Sequence, residues 1–123
     1  MMSQKGLAVV CRTAEGKELY TVLTSGIYHE VNPLTIKRML DITKQKMVGS
    51  VTWVVFCPIA KKCTFEDEGR TCKFPLKWLT KDINETIYAI LDDFGSVEAL
   101  QKNAGNPFIT TQYVLTILFA HEY

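Results

Sequence analysis

The chain is 123 residues long, 47% hydrophobic and 22% charged, with a net charge of +1. That length and balance exclude a disordered or fibrous chain and fit one compact domain with a core of useful size, and the net charge alone predicts no nucleic-acid partner. The charges are unevenly spread: residues 33–81 carry a net +6 and residues 82–123 a net −5, so the basic part can seek its anions within the molecule, in a second copy, or in an outside partner.

In chain order, residues 7–12 and 19–24 are β-rich and read as a hairpin, with Glu15-Gly16 supplying the turn. After Ser25-Gly26, residues 27–31 read as a short third strand in which Ile27, His29 and Val31 share a face. Asn32-Pro33 starts a helix: the Asn oxygen can take first-turn amides, and Pro at the first position loses no needed donor. Ile36, Met39, Leu40, Thr43 and Met47 follow at helical spacing over 33–47, with Lys37, Arg38, Lys44 and Lys46 outward and Gly49 as the stop.

Residues 51–57 are the densest β-branched and aromatic run before the C-terminal segment, and read as a central strand covered on both faces, Val51, Trp53, Val55 and Cys57 on one, Val54 and Phe56 on the other. Residues 61–74 read as a charged hairpin turning at Glu66-Asp67-Glu68-Gly69, which sets Cys63 opposite Cys72. Asp82 and Glu85 have capping-box spacing, so residues 83–94 are expected as a helix with Ile83, Ile87, Ile90, Leu91 and Phe94 as its stripe. A shorter helix follows over 97–103, closed by Gly105. The run 113–120 is too short to span a bilayer and is read as a strand inside the sheet rather than a helix. The expected fold is therefore α+β, a single domain spanning 1–123, with a mainly antiparallel or mixed sheet of about five strands and two main helices packed on it.

Chemical motifs are weak. Cys57, Cys63 and Cys72 with His29 or His121 have the residue types of a zinc site but lack the tight Cys pair that presents two sulfurs to one ion. A Cys–His nucleophile from Cys11 or Cys57 with His29 has no local support, because neither thiol follows a Gly-rich turn or opens a helix. Glycines are scattered singly, so no phosphate loop is present. No catalytic, metal or cofactor residue is therefore assigned, and the reading leans away from an enzyme. With an N-terminal apolar run too short for a signal peptide, a cytoplasmic setting with free thiols is expected, Cys63 and Cys72 being the pair that an oxidising compartment could bridge.

The functional expectation is a small non-enzymatic protein-binding or regulatory module that can self-associate. Its contacts are sought at Phe65, Phe74, Trp78 and Tyr123. The alternative is an anion or single-stranded nucleic-acid binder in which Lys37, Arg38, Lys61, Lys62, Arg70, Lys73 and Lys77 follow phosphates while interleaved rings stack bases. A small enzyme without a recognisable motif comes third. The partner is a protein or the chain itself, with nucleic acid second and no membrane.

Overall fold

The computed structural model describes residues 4–13 and 15–123, with side chains from Arg12 onward. Strands β1 (Gln4–Arg12) and β2 (Glu18–Thr24) are followed by helices α1 (Ser25–Glu30) and α2 (Pro33–Lys46). Then come β3 (Trp53–Cys57), β4 (Thr64–Glu66), β5 (Thr71–Pro75), β6 (Ile87–Asp93), α3 (Val97–Ala104) and β7 (Tyr113–Phe119). The strands make one mixed sheet in the order β1-β2-β7-β6-β3-β5-β4. Two neighbouring pairs, β2 with β7 and β3 with β5, are parallel, and the others are antiparallel. The α+β class is as expected from the sequence.

Residues paired across strands point to the same side of a sheet, which separates two faces here. One carries Leu23, Ile117, Ala89, Val54 and Cys72, with Phe119, Ile87, Phe56 and Phe74 one step along. All of these are buried, together with Ile27 of α1 and with Ile36 and Met39 of α2, in the main core. The second face carries Val22, Thr116, Ile90 and Trp53, then Leu118, Tyr88, Val55 and Lys73. Here α3 covers a corner only, where Leu100 and Ile109 bury Val114 against Tyr20 and Val22.

Several local signals act as expected. Asn32 Oδ1 accepts from the Leu34 amide at 2.8 Å and opens α2, and Gly16 and Gly49 take the positive φ that their turns require. The strand over 113–120 also forms, with every residue from Val114 to Phe119 buried.

Four expectations are corrected. Residues 27–31 belong to α1 and its end, with Thr24 Oγ1 accepting from the Ile27 amide; Ile27 and Val31 are buried four residues apart while His29 is exposed. Strand β3 is interior but fifth in order, and it is covered on one side: Val54 and Phe56 are fully buried, whereas Trp53, Val55 and Cys57 are half-buried. The middle of the sheet is β6, in the stretch expected as the helix over 83–94. Its apolar residues fit both periods because an interior strand buries both faces, and the Asp82 amide is taken by Thr80 Oγ1 at 3.1 Å. Finally, the ladder sets Cys72 opposite Phe65 and Lys73 opposite Thr64, so Cys63 stands one residue before β4 and diagonal to Cys72. No helix among the described residues is long and apolar enough to cross a membrane.

Candidate interaction site

Because β3 and β5 are parallel, with Cys57 beside Pro75, both strands finish at the same end of the sheet. The segments leaving the two strands therefore emerge side by side. After β3, buried Pro58 turns the chain and throws Ile59 into solvent at 85% exposure, followed by exposed Lys61 and Lys62. After β5, a single 3-10 turn (Leu76–Trp78) drives Leu76 into the core and turns Lys77 and Trp78 outward. Trp78 remains 60% exposed although its ring stands edge-on to Phe74, centroids 5.3 Å apart.

Two exposed apolar side chains and three exposed lysines thus lie on the two segments that leave this end of the sheet. Among the described residues no carboxylate lies within ion-pair distance of Lys61, Lys62 or Lys77. The remaining basic candidates are committed elsewhere. Lys37 and Lys44 flank Asp41 at 3.5 and 3.6 Å, Arg70 holds Asp67 at 3.2 Å, and Lys73 holds Glu66 at 3.1 Å. Arg38 donates to the Leu79 carbonyl at 3.2 Å and thereby ties α2 to the segment after Trp78.

The four aromatic candidates separate. Phe74 is buried, 6% exposed, between Phe56 and Trp78. Its strand position faces the core, and it is withdrawn as a contact residue. Phe65, on the edge strand β4, is 58% exposed. Tyr123 lies on the second face, 71% exposed, with its ring edge-on to Trp53 and Tyr88 at 5.3 and 6.1 Å. Ile59 was not anticipated; the signal for it is an apolar residue outside any period, set between a proline and two lysines.

The opposite end of the sheet differs in charge. Asp92 and Asp93 close β6 there, exposed, and the loop leading into β7 carries Phe108 at 87% exposure. The Gly95 amide and the Gln112 side chain, both at 2.8 Å, hold the Asp93 carboxyl below its usual pKa.

Other side chains are less suited to chemistry. His29 Nδ1 lies 2.8 Å from the Ser25 carbonyl, and His121 lies 3.5 Å from Glu85. Cys57 points to the second face and Cys72 to the first, so the two thiols cannot share one ion. Among the described residues no three of His, Cys, Asp and Glu gather as a metal site. A shallow apolar groove of about 380 Å³ runs between Tyr28 of α1 and Ile36, Lys37 and Leu40 of α2. Compared with known proteins, the chain matches no protein-family model, no curated protein and no solved structure.

Proposed function

We propose that the chain is a small protein-binding module without catalytic activity of its own, and that it binds through the sheet end formed by Ile59, Trp78, Lys61, Lys62 and Lys77, with Phe65 beside it. The observation that carries this reading is that the segments leaving the neighbouring ends of β3 and β5 expose two apolar side chains and three lysines that have no ion partner among the described residues. Solvent-facing aromatic and aliphatic groups rimmed by charge are what a partner's apolar anchors and carboxylates can use together. The complementary surface is one that sets carboxylates around an apolar side chain. The far end of the sheet carries exposed Asp92 and Asp93 at the end of β6 and exposed Phe108 on the loop into β7, so a second copy is a fitting partner. Such a contact would join unlike ends and build open chains of molecules rather than closed dimers.

The same lysines around the Trp78 ring also suit a single-stranded nucleic acid, with cations on phosphates and the ring under a base. Light scattering after size exclusion, over a concentration series at low and high salt, separates the two. Self-association predicts a mass that rises with concentration at low salt and falls back at high salt. Lys61→Glu with Lys62→Glu is expected to weaken it about tenfold or more, and Trp78→Ala comparably. A chain that stays monomeric at every salt and binds a fluorescent single-stranded oligonucleotide supports the second reading. Neither behaviour would reject both.

A further inference from the structure

Cys63 and Cys72 bring their sulfurs to 3.6 Å on the core side of the β4–β5 hairpin. Their surroundings differ. Cys72 is 0% exposed, inside a strand paired on both sides, whereas Cys63 is half-buried and lies just before β4, outside the ladder. We propose that this pair is a reversible thiol–disulfide site that closes with a low-molecular-weight disulfide such as glutathione disulfide, Cys63 attacking first and Cys72 resolving. The inference is independent of the binding reading.

The order of events is set by access. Cys63 can meet a soluble disulfide, and as thiolate it attacks one sulfur of glutathione disulfide. The S–S bond of the reagent breaks, a Cys63–glutathione disulfide forms, and one glutathione leaves as thiolate. Burial and the neighbouring Cys63 push the Cys72 thiol up to about 12, with the Lys46 ammonium drawing it partly back, so Cys72 stays protonated and inert toward bulk reagents. Its only reachable electrophile is the sulfur beside it. Losing its proton, Cys72 attacks Cys63 Sγ, and the second glutathione departs. Two cysteine thiols have lost two electrons and two protons, and one glutathione disulfide has become two glutathiones. Reaching a bond length of about 2.05 Å needs the sulfurs to approach by about 1.5 Å; Cys63, outside the ladder, can supply that shift.

Closure would pin the segment between β3 and β4 to β5, through a loop whose ends are nine residues apart. The test is to equilibrate the whole chain with graded mixtures of reduced and oxidised glutathione, then read intact mass and a non-reducing peptide map. The proposal expects a loss of about 2 Da, one peptide pair linking Cys63 to Cys72, and a melting midpoint raised by about 5–10 °C. Cys72→Ser should stop at one glutathione on Cys63, while Cys63→Ser should leave Cys72 unmodified in folded protein. The proposal is overturned if folded wild-type chain stays reduced in excess glutathione disulfide, keeps glutathione on Cys63 without resolving, or links either cysteine to Cys11 or Cys57.

Discussion

Single residues hold this fold at places that composition does not reveal. Glu122, in the closing 3-10 turn (Ala120–Glu122), accepts from Thr24 Oγ1 at 2.7 Å, from the Phe119 amide at 2.9 Å and from the Gly26 amide at 3.3 Å. One carboxylate thus fastens the end of β7 to the start of α1, and a Cβ on Gly26 would stand 2.8 Å from Glu122 Oε2. Glu122→Ala removes the acceptor for three donors, one of them on a fully buried side chain, and is expected to cost about 1–3 kcal/mol in urea unfolding. Cys72 gives a pH signature. Its thiol is held protonated from the ordinary 9.0 to about 12 in the folded chain, so between those values the folded state binds more protons than the unfolded one, and stability falls as pH rises. Cys72→Ala should flatten that alkaline decline in unfolding curves recorded from pH 9 upward; a slope equal to wild type would contradict the shift.

At the scale of elements, β7 and β6 lie third and fourth among the seven strands, each paired on both sides, while β4 is three residues long and paired on one side. Hydrogen exchange read by mass spectrometry is expected to be slowest over Ile87–Asp93 and Tyr113–Phe119 and fastest in Thr64–Glu66. Equal rates in β6 and β4 would contradict the order of strands. Much of this architecture is legible in the sequence. Turn glycines, helix caps and β-branched runs mark the first hairpin, α2, α3 and the strand over 113–120. What failed is β6, where Ile87, Ile90 and Leu91 satisfy a helical stripe as well as a strand buried on both faces, and only the pairing with β3 and β7 decides. The candidate site was half legible for a related reason. Phe74 and Trp78 lie four residues apart in one basic run, but the strand ends between them, sending the first inward and the second outward.

Across the whole molecule, the +6 and −5 segments do not form two lobes. The acidic segment's β6 lies between β3 of the basic segment and β7 of its own. Within the basic segment Asp41, Glu66 and Asp67 pair with four of the ten cations, pairs that the net +6 already counts, while Arg38, Lys46, Lys61, Lys62, Lys77 and Lys81 have no ion partner among the described residues. Of these, Lys61, Lys62 and Lys77 stand exposed on the segments that leave one end of the sheet. Charges so exposed act over about 8 Å at physiological ionic strength, which makes them guides for a close partner rather than a long-range field. The topology also bears on how the molecule is born. β7 is threaded between β2, to which it is parallel, and β6, yet a ribosome makes it after both. Until it emerges, β2 and β6 each lack the partner that closes one flank of amides and carbonyls, the kind of open edge on which partly made chains associate with one another.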